Sequence, residues 1–316
     1  MSFSSDIKDE LCRLQNENQC CRFAELAGIL RTGLIIREVR NRNLLLFITE
    51  HALVSRMVYS RIKEIVPDGV EISGEKTTRF KRHVVYRLNL TGITAFKEGN
   101  ELLGSVGINI SLPEKTIEYS DFDISERCCI RAYLRGGFLA VGSVTNPDKS
   151  YHVELAFTDS RISSEFMKYM EYFELKPKLI QRKNYDIVYM KEGQDIVDFL
   201  NVINAHNALL EMENIRVLKD MRNQVNRLVN CETANLEKTV NASLKQVSYI
   251  KYLDDTVGIE NLPANLKEVA RLRMEHPEAS LSELGKMLNP ALGKSGVNHR
   301  MRKLEKIASD LMQKEK

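Results

Sequence analysis

The 316-residue chain has no apolar run approaching the ~20 residues that span a bilayer, so an ordinary transmembrane helix is excluded. Its opening residues, Met1-Ser-Phe-Ser-Ser-Asp-Ile-Lys-Asp-Glu-Leu, lack the basic region and apolar core of a secretory signal. They read instead as the start of an amphipathic helix, and a cytoplasmic protein without a membrane partner is expected. Net charge is also scarce, +3 at neutral pH, so any signal for nucleic acid has to be local. The six cysteines, Cys12, Cys20, Cys21, Cys128, Cys129 and Cys231, form no C-x-x-C and have no histidine at a zinc-site spacing. Adjacent cysteines on a helix point to different faces. The expectation is small buried thiols in a reducing compartment, with no metal and no cofactor.

What is present is ample apolar material, 43% of residues, with 28% charged, which argues for folded domains rather than disorder. The length suits two or three of them. One stretch occurs twice, about a third of the chain apart: Cys20, Cys21, Ala24, Leu26 and Gly28 recur as Cys128, Cys129, Ala132, Leu134 and Gly136. Both copies carry small and apolar residues at helical spacing. Behind each helix the patterning repeats in the order α-β-β-α-β-β-α, which marks a duplicated domain. In the first copy strands are expected at Leu34–Ile36, Leu44–Thr49 and Val84–Leu90, with a helical stripe of Leu53, Met57, Ile62 and Ile65. In the second they are expected at Tyr151–Phe157 and Tyr185–Met190, with a helix over Ser163–Phe173. The small residues Ala27, Gly28, Gly136 and Gly137 predict that the two repeated helices pack on each other closely. Basic segments, Arg79, Lys81, Arg82 and His83, then Lys178, Gln181, Arg182 and Lys183, fall ahead of the last strand of each copy. They read as lining for a DNA backbone or as solvated turns.

Ala205–Leu253 is expected to be mostly helical, with Val217, Met221, Val225 and Leu228 on an apolar face. Arg222, Asn226 and Asn230 lie four residues apart on another face, beside Asn223 and Arg227. They fit contacts to phosphates or bases, or a polar seam. The last segment predicts three helices. The first, through Leu262, Leu266, Val269 and Ala270, ends at His276-Pro277; the second opens on the capping box Ser280-Leu-Ser-Glu283. The third starts at Ser295 as N-cap and buries Val297, Met301, Leu304, Ala308 and Leu311. Lys294 to Lys306 holds five Lys or Arg against one Glu, where a groove-reading helix needs positive charge. A helix-turn-helix over roughly 279–312 is therefore expected to read double-stranded DNA. Its candidate contacts are Ser280, Lys294, Ser295, Gly296, Asn298, His299, Arg300, Arg302, Lys303 and Lys306.

The doubled helix, Leu26-Ala27-Gly28-Ile29-Leu30 and Leu134-Arg135-Gly136-Gly137-Phe138-Leu139-Ala140-Val141-Gly142-Ser143, resembles the LAGLIDADG motif of homing endonucleases. Together with Asn201–Glu211, Met221–Asn235 and Lys294–Arg300, the chain resembles the WhiA family along essentially its whole length. The resemblance implies an α+β duplicated LAGLIDADG-like domain followed by an all-α helix-turn-helix domain. It also implies a DNA-binding regulator of cell division and chromosome segregation, tied to sporulation in spore-forming relatives, and associated with the nucleoid. Boundaries follow as an N-terminal helix at 1–19, repeats at 20–110 and 111–211, a helical linker at 212–255 and the C-terminal domain at 256–316. In the nuclease motif each helix ends on an acid that holds catalytic metal. Here those positions are Gly33 and Val141, so no catalytic residue is assigned and the duplicated domain is expected to be a scaffold. Auxiliary DNA contacts are expected from Arg222, Asn223, Asn226, Arg227, Asn230, Lys81, Arg82, Lys178, Arg182 and Lys183. Two rivals stay open: a residual metal-dependent endonuclease, and an architectural or adaptor protein meeting other regulators.

Overall fold

The computed structural model describes residues 2–14, 18–77 and 83–314. Contacts divide the chain into two units, Met1–Lys219 and Asp220–Lys316. No described helix is long and apolar enough to cross a membrane.

In the first unit α1, Phe3–Cys12, is capped by Ser2, whose hydroxyl accepts from the Ser5 N–H at 3.2 Å. The first repeat then runs α2 (Gln19–Gly33), β1 (Leu34–Val39), β2 (Arg42–Thr49), α3 (Ala52–Ile65), β3 (Glu71–Thr77), β4 (His83–Asn89) and α4 (Lys97–Ser105). A hairpin of β5 (Ile108–Ser111) and β6 (Thr116–Tyr119) intervenes, which the patterning did not announce. The second repeat is α5 (Arg127–Val141), β7 (Gly142–Val144), β8 (Val153–Phe157), α6 (Ser160–Glu171), β9 (Lys178–Arg182), β10 (Tyr185–Met190) and α7 (Gly193–Val202). Each repeat builds a four-stranded sheet of the same topology, β1-β2-β4-β3 and β7-β8-β10-β9. The expected α-β-β-α-β-β-α order holds in both. Period-two alternation orients β8, which buries Val153, Leu155 and Phe157 and leaves Glu154 and Ala156 half-exposed.

Helices α2 and α5 pack face to face, and their glycines make that possible. A Cβ on Gly28 would sit 2.2 Å from the Tyr133 carbonyl oxygen, and one on Gly136 would sit 2.1 Å from the Glu25 carbonyl oxygen. Each helix thus presses its glycine onto the backbone of the other at equivalent positions of the repeat. Inside the contact Arg135 donates its Nε–H to Glu25 at 2.6 Å, both side chains at most 4% exposed. Paired burial of this kind leaves neither charge without a partner.

Two expectations need correction. The stretch around Lys178 to Arg182 does precede the last strand, β10, but it is not a turn: it is itself β9, an edge strand with all five residues exposed. Its basic side chains made it look like a turn, but backbone pairing with β10, from Tyr185↔Arg182 to Tyr189↔Lys178, decides the matter. Lys183 stands in the two-residue tip of that hairpin at φ 56°. In the first repeat β3 likewise reaches Thr77, while Arg79, Lys81 and Arg82 lie outside the described residues. The buried stripe of α3 is Val54, Val58 and Ile62, so Leu53 and Met57 are only half-buried and Ile65 is exposed. A helical stripe one position off fits the sequence almost equally well, and the sheet beneath chooses between them.

Helix α8, His206–Thr256, starts in the first unit and continues into the second. Its end joins α9 (Ala264–Glu275), α10 (Leu281–Met287) and α11 (Lys294–Lys314). The core of the second unit gathers Ile250 and Leu253 from α8, Leu266, Val269 and Ala270 from α9, Leu284 from α10, and Val297, Met301, Leu304 and Ala308 from α11. Arg273 is 2% exposed and donates to the Ala279 carbonyl at 2.5 Å, which ties the end of α9 to the start of α10.

Candidate nucleic-acid interface

Helix α10 begins as the sequence dictates. Ser280 accepts from the Glu283 N–H at 3.3 Å, and the Glu283 carboxylate accepts from the Ser280 N–H at 2.7 Å. The Ser280 N–H beside it holds the Glu283 carboxyl below the usual carboxylate range. Ser280, a candidate contact, therefore has its hydroxyl engaged in the cap. The turn into α11 folds back through Leu292, whose N–H donates to the Gly285 carbonyl at 2.8 Å. A Cβ on Gly285 would meet the Leu292 oxygen at 2.1 Å, so glycine lets the turn close on the helix. The N-cap of helix α11 falls two residues earlier than expected. The Val297 N–H donates to the Gly293 carbonyl at 3.2 Å, so Gly293 is the N-cap and Ser295 lies within the first turn.

On α11 the buried stripe is the expected one, with Val297, Met301, Leu304 and Ala308 at most 3% exposed and Leu311 half-buried. That stripe turns Lys294, Ser295, His299, Arg302, Lys303 and Lys306 to the surface, while Asn298 and Gly296 are half-buried beside it. Spacing of three and four residues places Ser295, His299, Arg302 and Lys306 on one line. Lys294 and Ser280 line a common recess with Lys238 and Ser282, so the starts of α10 and α11 open toward the same side. Arg300 departs from the group: it donates to the Asn265 carbonyl at 3.1 Å and bridges α11 to the start of α9. The first-turn N–H groups of α11 and its exposed cations together make a surface suited to phosphate oxygens and base edges.

The auxiliary candidates are accessible and lie on other elements. Arg222, Asn223, Asn226, Arg227 and Asn230 are all exposed on α8, and so are Val217, Met221, Val225 and Leu228 of its apolar face, at 56–61%. Lys178, Arg182 and Lys183 are exposed on β9 and its hairpin tip. Lys81 and Arg82 lie outside the described residues.

The motif ends in the first unit are closed by carbon rather than by acid. A Cβ on Gly33 would fall 2.5 Å from the Phe47 ring and 3.2 Å from Ala140, which leaves no room there for a carboxylate. Thr32 donates its hydroxyl to the Gly28 carbonyl at 2.7 Å within its own helix. Arg31, 2% exposed, donates to Glu165 at 2.8 Å, to the Tyr133 hydroxyl at 3.1 Å and to the Val106 carbonyl at 2.7 Å. Burial pushes the Tyr133 phenol well above its ordinary value, so it keeps the proton it donates to Glu165.

At the other ends of the same helices stands a feature the sequence reading missed. Cys20, Cys21, Cys128 and Cys129 bring their sulfurs together, and Cys20 and Cys128 are exposed rather than buried. The signal was the repeated Cys-Cys itself. Equivalent residues on two helices packed about their glycines have to meet at one end.

Comparison with known proteins agrees with this architecture. Family models match residues 19–108 (WhiA N-terminal LAGLIDADG-like domain), 130–222 (WhiA LAGLIDADG-like domain) and 225–308 (WhiA C-terminal HTH domain). The chain is 44% identical over 309 residues to a probable cell division protein WhiA of Ruminiclostridium cellulolyticum, covering 98% of this chain and 97% of that one. It is 44% identical over 318 residues to the protein of the same name from Alkaliphilus metalliredigens, covering 98% of each. Among solved structures, full-length DUF199/WhiA from Thermatoga maritima superposes with a TM-score of 0.57 at 27% identity, covering 98% of this chain and 99% of that one. Two LAGLIDADG-like repeats followed by a helix-turn-helix domain, matched from end to end, place this chain in the WhiA family.

Proposed function

We propose that this chain is a non-catalytic, sequence-reading DNA-binding regulator that acts in cell division. The observation that carries the reading is the outward face of α11, where Lys294, Ser295, His299, Arg302, Lys303 and Lys306 stand exposed over a buried apolar stripe. Insertion of such a helix into the major groove puts its first turns against base edges and its later cations against phosphates. The duplicated domain serves as scaffold, with Arg222, Asn223, Asn226, Arg227, Asn230, Lys178, Arg182 and Lys183 as further backbone contacts. The name of the curated relatives, probable cell division protein, supports the cellular role. Chromosome segregation, a link to sporulation, other regulators as partners and a place on the nucleoid in the cytoplasm extend the same reading.

Genome-wide mapping of bound sites supplies duplexes for titration. Arg302→Ala with Lys303→Ala is expected to weaken specific binding by about 10–100-fold while leaving the melting temperature unchanged. Equal affinity of variant and parent would refute the assignment of α11. Arg300→Ala is expected to act through stability instead, because its guanidinium bonds the Asn265 carbonyl. Plasmid incubated with Mg²⁺ or Mn²⁺ is expected to stay intact, given Gly33 and Val141 at the motif ends. Cleavage abolished by chelation would restore the endonuclease rival.

A further inference from the structure

The cluster of sulfurs at the start of α2 and α5 has no part in the interface described above. Among the described residues, the Sγ atoms of Cys20, Cys21, Cys128 and Cys129 all lie within 4.8 Å of one another. Cys128 and Cys129 Sγ are 4.0 Å apart. Four thiolates bound to one tetrahedral zinc at ~2.3 Å stand about 3.8 Å from each other. A contraction of about an ångström or less would therefore close the four sulfurs on a single ion. Thiolates around a multi-iron cluster are spread wider as a set, because they are divided among two or four irons. An all-sulfur donor set also disfavours magnesium and calcium, which take oxygen.

The helices supply what a thiolate site needs. Both cysteine pairs lie in the first turn, α2 starting at Gln19 and α5 at Arg127, and neither Asn18 nor Glu126 makes a side-chain cap. Uncapped first-turn N–H groups and two converging helix dipoles favour negative charge at this point. Packing does not account for the cluster. Cys20 and Cys128 are exposed and bury little, yet they meet the buried Cys21 and Cys129 rather than solvent alone. Adjacent cysteines on one helix point to different faces, but two helices bring two such pairs together from opposite sides.

We propose that Cys20, Cys21, Cys128 and Cys129 bind a structural zinc ion that fastens together the N-terminal ends of the two repeated helices. Four protein ligands leave no open coordination position, so the ion's role is to hold the two repeats in register. Buried Cys21 and Cys129 fix the inner side of the site, and exposed Cys20 and Cys128 give the ion its entry path.

The test uses the full chain, purified without chelator and without a metal-affinity step. Elemental analysis is expected to find stoichiometric zinc, a single ion per chain. Cobalt substitution should give intense sulfur-to-cobalt charge-transfer bands with tetrahedral d–d transitions. Stripping the metal should lower the melting temperature, and zinc but not magnesium should restore it. Cys20→Ser with Cys128→Ser, both at exposed positions, should release at least ten-fold more zinc to a competing chelator. Cys231→Ser, outside the cluster, should leave retention unchanged. The proposal is overturned by six reactive thiols and no bound metal after growth in zinc-replete medium. Stoichiometric iron in place of zinc, or disulfides among the four cysteines, would overturn it equally.

Discussion

Lys8 is 5% exposed on α1, with its ammonium 5.8 Å from the centroid of the Phe138 ring. Burial lowers it from the ordinary 10.5 to about 8, against smaller opposing effects of Cys12 and Glu50. Because the folded value is depressed, the unfolded chain holds this proton more tightly between about pH 8 and 10.5, and stability from this group rises with pH across that window. At pH 7 the buried charge is a cost. Lys8→Met is therefore expected to stabilise by about 1–3 kcal/mol at pH 7, and the advantage should shrink by pH 10. Urea titrations of both proteins at the two pH values measure it, and a pH-independent difference would contradict the burial of the charge. Position 8 read from sequence as one polar place on an amphipathic helix, since only neighbouring elements decide which lysine is covered. The same holds on α11. The exposed cations were legible from the stripe of Val297, Met301 and Leu304, but the diversion of Arg300 to the Asn265 carbonyl depends on where α9 lies.

The pairing of α2 with α5 was the most legible feature between elements, because small residues recur at matching positions and only close backbones explain them. Gly28→Ala or Gly136→Ala forces a methyl to 2.2 or 2.1 Å from a carbonyl oxygen of the partner helix. A loss of about 1–3 kcal/mol or more is expected. Gly104 in α4 has nothing within 4 Å of its absent Cβ, so Gly104→Ala should instead gain about 0.5–1 kcal/mol through helix propensity. Denaturant midpoints of the three variants check both signs, and similar shifts at Gly28 and Gly104 would deny the close approach. Other elements were harder to read. The hairpin β5–β6 has short strands and no strong alternation, and β9 carries Lys178, Gln181 and Arg182 on an edge where polar residues cost nothing. Its strand character comes from β10 alongside, not from its own residues.

For the molecule as a whole the net charge of +3 is small, so the proposed DNA binding has to rest on cations gathered at one surface. Affinity for a mapped duplex should then fall steeply between about 50 and 200 mM salt. Lys303→Ala with Lys306→Ala should flatten the logarithmic slope by about 1–2 without changing which sequence is preferred. Anisotropy titrations at several salt concentrations read the slope, and an unaltered one would remove these lysines from the phosphate contacts. Legible without the structure were the duplication, the order of elements within each repeat, the capping box of α10, the basic face of α11 and the residues Gly33 and Val141 at the motif ends. These are properties of periodicity, spacing and residue type, which are local or repeat exactly where the chain does. The long-range contacts set the rest: Phe47 fills the space at Gly33, Arg300 reaches across to the Asn265 carbonyl at the start of α9, and four thiols meet at one point. Each of those depends on residues far apart in the chain, brought together by the burial of apolar surface that no short window of sequence contains.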